Sequence, residues 1–212
     1  MKALVAGGAG FIGSHLIDAL LAEGHQVVCV DNFFIGTKEN IRHLEGNPRF
    51  KFYEQDLCDF DKTLEIFQAE KPDHVFHLAA NSDIQASANN PLIEYKNTYS
   101  TTFVLLECMR RTGVKKFFFA STSAVYGEQM GAEVSEEAVA LKPISYYGGA
   151  KLGAEGILSA FTYMSDLETL VFRFPNVIGP RLTHGVIFDF VKRLKVDPSH
   201  LRILGDGRQS KP

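Results

Sequence analysis

A doubly wound α/β fold, with helices on both faces of a parallel sheet, is what this 212-residue chain predicts. Three observations carry that expectation. Short apolar runs alternate with stretches of helical spacing along most of the chain. Several of the runs are apolar at every position, as strands covered on both faces are. The first run, Met1-Lys-Ala-Leu-Val-Ala6, breaks directly into Gly7-Gly-Ala-Gly10-Phe-Ile-Gly13 before helical spacing resumes.

Each glycine of that turn has its own reason. Gly7 lets the chain turn sharply, Gly10 lets a pyrophosphate approach the backbone, and Gly13 lets the helix pack closely on the strand. The amides of the first helical turn and the positive end of the helix dipole then face an anion. A second strand, Gln26-Val-Val-Cys-Val-Asp31, ends on a carboxylate eighteen residues after Gly13. That distance suits a group that accepts both hydroxyls of an adenine ribose. The same carboxylate repels a 2′-phosphate, and Asn32, Phe33 and Phe34 follow it rather than an Arg, so NAD is expected over NADP.

The alternation continues. The polar stretch from Gly36 starts a short helix ending near Gly46, and a third strand covers 50–54. Helical spacing over about 59–69 leads through Pro72 to a fourth strand, 73–80. A helix over about 91–112 precedes the fifth strand, 116–120, and a helix over 145–164 precedes the sixth, 168–174. In such a sheet ligands collect at the carboxyl ends of the strands. Beyond Pro175 the apolar patterns shorten and Pro, Gly and charged residues interrupt them. Residues 1–174 therefore read as a dinucleotide-binding, Rossmann-like domain, and 175–212 as the start of a smaller substrate-binding region that ends on a strand and turn with nothing to cover them.

Composition narrows the function classes. At 45% hydrophobic content the chain can bury a sizeable core. A net charge of −3, with 22 basic and 25 acidic residues interspersed, offers no basic face for nucleic acid. Cys29, Cys58 and Cys108 lack metal-ligand spacing and read as reduced, packed thiols of a cytoplasmic protein. No apolar run approaches the ~18 residues that a membrane span needs. The seven histidines are scattered and suggest no metal site; His77 reads as a hydrogen-bonded core residue.

Two further segments carry chemistry. Ala120-Ser-Thr122-Ser-Ala-Val-Tyr-Gly127 sets hydroxyls at the carboxyl edge of strand five, with Ser121 and Ser123 expected to tie the loop to backbone groups and Tyr126 to pack. Tyr147 and Lys151 stand at i and i+4 on one face of the following helix. An ammonium beside a phenol favours the phenolate, lowering a pKa that is ordinarily about 10, and such a tyrosine can act as a general base.

Taken together, Gly7-x-x-Gly10-x-x-Gly13, the strand ending in Asp31, Asp56-Leu57, His77-Leu-Ala-Ala80, Asn97, Ser121-Thr-Ser-Ala-Val-Tyr-Gly127, Tyr147-x-x-x-Lys151 and Arg173-Phe-Pro-Asn176-Val-Ile-Gly-Pro-Arg181 resemble the extended short-chain dehydrogenase/reductase superfamily. Within it the likeness is greatest to nucleotide-sugar epimerases of the UDP-glucose 4-epimerase type. The resemblance implies that Gly7, Gly10, Phe11 and Ile12 line the pyrophosphate, Asp31 and Asn32 the adenosine ribose, and Asp56 and Leu57 the adenine. Leu78, Ala79, Ala80 and Asn97 would wall the nicotinamide half. Asp56 and Asn97 have a second reading, as caps of helices or turns.

The same resemblance implies a base at Tyr147, with Lys151 on the nicotinamide ribose and tuning Tyr147. It places Thr122 on the reacting sugar hydroxyl and Asn176 on the phosphates of a UDP-hexose. The implied reaction is NAD-dependent inversion at C4 through a 4-keto sugar. A nucleotide-sugar 4,6-dehydratase shares the first step but follows its strand-five hydroxyl with Asp and Glu, where this chain has Ser123-Ala124. A UDP-uronate decarboxylase and a non-catalytic NAD sensor are the other readings. The chain departs from the family in Phe174-Pro175, where an aromatic pair is usual. The family usually continues for roughly a further hundred residues after a segment like Gly205-Asp-Gly-Arg-Gln209. A truncated chain that binds sugar nucleotide weakly is therefore expected. The family also implies homodimers, built on the helices near 91–112 and 145–164.

Overall fold

The structure is a computed structural model that describes residues 1–128, 134–137, 140–203 and 205–207. Its elements run β1 (Lys2–Ala6), α1 (Phe11–Ala22), β2 (Gln26–Asp31), β3 (Phe50–Glu54), α2 (Phe60–Glu70), β4 (His74–His77), α3 (Ile84–Asn89), α4 (Leu92–Glu94), α5 (Thr101–Thr112), β5 (Lys116–Thr122), α6 (Tyr146–Ser165), β6 (Glu168–Phe174) and α7 (Val186–Val196). The six strands form one parallel sheet in the order β3-β2-β1-β4-β5-β6. Strand order reverses between β1 and β4, which opens a crevice beyond their carboxyl ends.

Period-two alternation within apolar strands feeds both faces. Leu4, Ala6, Val28 and Val30 point to one core, shared with Phe67 of α2, Leu105 and Met109 of α5, and Leu158 of α6. Ala3, Val5, Val27 and Cys29 point to the other, beneath Ile17 and Leu20 of α1. Local signals explain the helix ends. The Asp59 carboxylate accepts from the Lys62 amide and starts α2, the Ser145 hydroxyl accepts from the Gly148 amide and starts α6, and Gly113 ends α5 at φ 77°.

Several expectations need correction. The single helix expected after Gly36 is two separate 3₁₀ turns, Lys38–Asn40 and Arg42–Leu44. Strand four stops at His77, where its partner β1 ends at Ala6 and the chain turns at Gly7; the Leu78 amide makes the last bond, to the Ala6 carbonyl at 2.9 Å. The helix expected over 91–112 is broken by a π-helical turn, Tyr95–Ser100, between α4 and α5. Residues 201–203 form no strand, and Arg208 to Pro212, within the expected terminal strand and turn, lie outside the described residues. Helices α3 and α7 were not among the expected elements. In α7 the apolar residues Ile187, Phe190, Val191 and Leu194 do recur at helical spacing, but none of the helix is buried. Among the described residues no helix is long and apolar enough to cross a membrane.

Candidate functional site

A cleft of about 400 Å³ runs along the carboxyl ends of the strands. Every residue singled out for a site from the sequence lines it: Gly7, Gly10, Phe11 and Ile12 at its centre; Asp31, Asn32, Asp56 and Leu57 toward one end; Leu78, Ala79, Ala80, Asn97, Thr122, Tyr147, Lys151 and Asn176 toward the other.

The glycine turn is shaped by backbone alone. Gly7 adopts φ 78°, and a Cβ on it would stand 2.5 Å from the Ala79 amide nitrogen. A Cβ on Gly13 would stand 2.3 Å from the Gly7 carbonyl oxygen. No side chain caps α1 at Gly10, which leaves its first-turn amides for an anion. Asp31 is 7% exposed. Its Oδ2 accepts from the Ala9 amide at 2.9 Å and its Oδ1 from the Phe33 amide at 2.8 Å. Burial raises its pKa more than these amides lower it.

At the other end, Lys151 is wholly buried and its Nζ donates to the Ala120 carbonyl at 2.6 Å. Burial pushes this amine down to about 7, against the pull of the Glu94 and Glu155 carboxylates. Tyr147 is half-buried, and burial pushes its phenol up to about 12, with the Thr122 hydroxyl opposing and Glu94 adding to the shift. This corrects the expectation that Lys151 lowers Tyr147. Desolvation acts on both groups, disfavouring the charge on each, and the Lys151 ammonium is turned to a carbonyl of β5.

Other assignments divide. Asp56 takes the turn role foreseen for it, Oδ1 accepting from the Cys58 amide at 3.0 Å, and it lines the cleft. Its Oδ2 pairs with Lys96 at 2.9 Å. Asn97 caps nothing; its Nδ2 donates to the Ile93 carbonyl at 3.1 Å within the helical segment. The expected backbone ties of Ser121 and Ser123 are absent. Ser121 Oγ donates to Glu155 Oε1, and Ser123 Oγ is buried with no partner among the described residues, because the 3₁₀ turn after β5 swings its hydroxyl inward. Tyr126 packs as expected. His77 is fully buried, with Nε2 at 2.9 Å from Thr102 Oγ1. Cys29 and Cys108 are buried, whereas Cys58 is half-buried and donates to the Lys96 carbonyl.

The family model of the NAD dependent epimerase/dehydratase family matches residues 3–212. The chain belongs to this family. It is 35% identical over 218 residues to an uncharacterized UDP-glucose epimerase of Bacillus subtilis, a match covering all of this chain and 67% of that one. UDP-glucose 4-epimerase of Thermotoga maritima, solved with UDP-glucose, superimposes with a TM-score of 0.89 at 39% identity, over 98% of this chain and 67% of that one. The Thermus thermophilus UDP-glucose 4-epimerase, solved as a complex with NAD, gives 0.85 at 36% identity, over 92% and 62%. The chain thus spans about two thirds of the length of these relatives.

Sequence reasoning missed several residues in or around this cleft. Glu94 is 1% exposed and accepts from Asn81 Nδ2 and Thr98 Oγ1, each at 2.7 Å. Asn40 fastens the loop beyond β2, its Nδ2 donating to the Ala9 carbonyl at 2.8 Å. The segment after β6 is strapped over the cleft. Arg181 pairs with Asp18 of α1 at 2.7 Å, His15 Nε2 lies 2.9 Å from the Pro180 carbonyl, and His184 Nε2 lies 2.9 Å from Ser82 Oγ. A buried acid in a helix start and a strap made by residues about 100 or more positions apart leave no periodic signature.

Proposed function

We propose that this chain carries the NAD-binding and proton-transfer apparatus of a nucleotide-sugar 4-epimerase acting on a UDP-hexose of the glucose/galactose type. The observation that carries the reading is the meeting of Thr122, Tyr147 and Lys151 at one end of a cleft whose other end is Asp31. The residues fit the dinucleotide. Gly7 and Gly13 let backbone pack on backbone around the turn, Gly10 lines the cleft with only the Gly7 carbonyl within 4 Å of where a Cβ would stand, and Lys151 is a buried amine with donor capacity beyond its one carbonyl.

Gly7, Gly10, Phe11 and Ile12 would hold the pyrophosphate, Asp31 and Asn32 the adenosine ribose, Asp56 and Leu57 the adenine. Leu78, Ala79, Ala80 and Asn97 would wall the nicotinamide, whose ribose Lys151 would hold. NAD, when bound, supplies the electron sink for oxidation at the sugar carbon. Thr122 orients the 4-hydroxyl, and the Tyr147 oxygen takes its proton and later returns it. Lys151, as an ammonium, offsets the charge that Tyr147 then carries. Asn176 would meet the sugar-nucleotide phosphates.

We read 1–174 as the dinucleotide-binding domain and 175–212 as the start of the substrate-binding region. The protein is placed in the cytoplasm, in keeping with the buried free thiols of Cys29 and Cys108. We place a homodimer contact on α5 and α6, where Phe103 is 42% exposed beside Phe161.

Incubation with NAD and UDP-galactose should yield UDP-glucose, read by chromatography of the nucleotide sugars. Absence of conversion sinks the reading. A second expectation concerns Asp31. Its carboxylate repels a 2′-phosphate, so NADH should bind about tenfold or more tightly than NADPH. Asp31→Ala should narrow that ratio chiefly by weakening NADH. The chain has no Trp, so nucleotide fluorescence reads both affinities cleanly, and equal affinities for the wild type would remove this role.

A further inference from the structure

Three consecutive residues at the end of β5 are each tied to a different turn of α6. The Ala120 carbonyl accepts from Lys151 Nζ, Ser121 Oγ donates to Glu155 Oε1, and the Thr122 hydroxyl faces the Tyr147 phenol. Tyr147, Lys151 and Glu155 succeed one another at i, i+4 and i+8, on one face of the helix. Glu155 is held in turn from β6. Arg173 Nη2 donates to its Oε2 at 2.8 Å and Nε to its Oε1 at 3.2 Å, a two-pronged, charge-assisted pairing.

Arg173 is itself well anchored. It stands in register opposite Ser121 on the neighbouring strand. Its guanidinium lies 5.0 Å from the centre of the Tyr126 ring, and Nη1 donates to the Tyr126 hydroxyl at 3.2 Å and the Glu136 carbonyl at 3.3 Å. The side chains of Arg173 and Glu155 are only 20% and 12% exposed. A pair this dry is held by geometry, since its Coulomb gain is largely offset by desolvation.

We propose that Glu155 is a positioning residue of the site: clamped by Arg173, it sets α6 against the end of β5 and keeps a negative charge beside Lys151. The inference rests on the dinucleotide reading above, in which Lys151 holds the nicotinamide ribose as an ammonium. The groups facing Lys151 are Glu94 of α4 and Glu155 of α6, which favour the ammonium, with His77 of β4 and the Phe119 ring of β5, 4.7 Å from Nζ, and Tyr147 stands one turn before it on the same helix. Burial works against the ammonium, holding it down to about 7. Removing an acidic neighbour lowers that value further, so the charge survives only at lower pH. Affinity that depends on the charge must then fall away at lower pH as well.

The test is NADH fluorescence titration between pH 6 and 9 on the 212-residue chain, comparing wild type, Glu155→Gln, Lys151→Met and the double variant Glu155→Gln/Arg173→Met. The double variant keeps the question answerable if Glu155→Gln alone fails to fold, because replacing both members of a buried pair is tolerated better than stranding one. The pH at which wild-type affinity falls by half should move down by roughly one unit in whichever Glu155 variant folds. A purely structural clamp predicts a changed melting temperature with an unmoved pH profile. That outcome, with Lys151→Met flattening the profile, overturns the role of Glu155 and leaves the dinucleotide reading standing. If Lys151→Met binds NADH with the wild-type profile, Lys151 does not touch the nucleotide, and both fall.

Discussion

Tyr147→Phe should lower turnover of UDP-galactose by about 10²–10⁴-fold, the range for loss of a general base, while NADH affinity stays close to wild type. The phenyl ring keeps the packing of a half-buried side chain and removes only the oxygen that faces Thr122. Because burial holds the phenol up to about 12, Tyr147 is protonated at neutral pH. To take the substrate proton Tyr147 must first give up its own to solvent, an ionisation that the Thr122 hydroxyl favours and whose charge the Lys151 ammonium offsets. Turnover by an ionised Tyr147 beside a charged Lys151 should therefore rise with pH up to about 7 and then level off, because above it the loss of the Lys151 ammonium cancels the gain in ionised Tyr147. A variant that keeps more than a tenth of the wild-type rate removes Tyr147 from the reaction.

Gly7→Ala should abolish NADH binding and destabilise the fold by about 2–5 kcal/mol, measured by urea unfolding. The added Cβ would sit 2.5 Å from the Ala79 amide nitrogen and 2.7 Å from its Cα, both backbone atoms that cannot rotate away, at a φ of 78°. Relief requires the turn to move from β4, which displaces the wall of the cleft. Gly46 is the control. It has φ 80° but nothing within 4 Å, so Gly46→Ala should cost only about 1 kcal/mol of backbone strain and leave NADH binding unchanged. Equal effects of the two substitutions would mean that the contact with Ala79 is unimportant.

What could be read without coordinates was local. The spacing of Gly7, Gly10 and Gly13, the acid closing a strand at Asp31, and the i, i+4 relation of Tyr147 to Lys151 each depend on a few neighbouring residues. Backbone geometry turns such spacings into shape directly. That the strands run parallel followed from the same alternation, because a helix between two strands carries the chain back to the same end of the sheet. Boundaries and breaks were less legible. The run after Pro91 keeps helical spacing on both sides of Tyr95–Ser100, so only the folded chain reveals the π turn that carries Asn97. Thr98, buried in that turn, donates to the carboxylate of Glu94.

Residue order in the chain decided which groups could meet: a phosphate-shaped turn at the start, an acid to follow it, and a phenol and amine one helical turn apart. How those groups behave once together was decided by folding in three dimensions. Lys151 loses affinity for its proton and Tyr147 holds its own more tightly because water is excluded around both. Of the acids that oppose the first shift, Glu155 lies one turn downstream on the same helix, whereas Glu94 arrives from 57 positions upstream on a surface that only packing brings into contact. Solvation and Coulomb energy depend on distance through space rather than along the backbone.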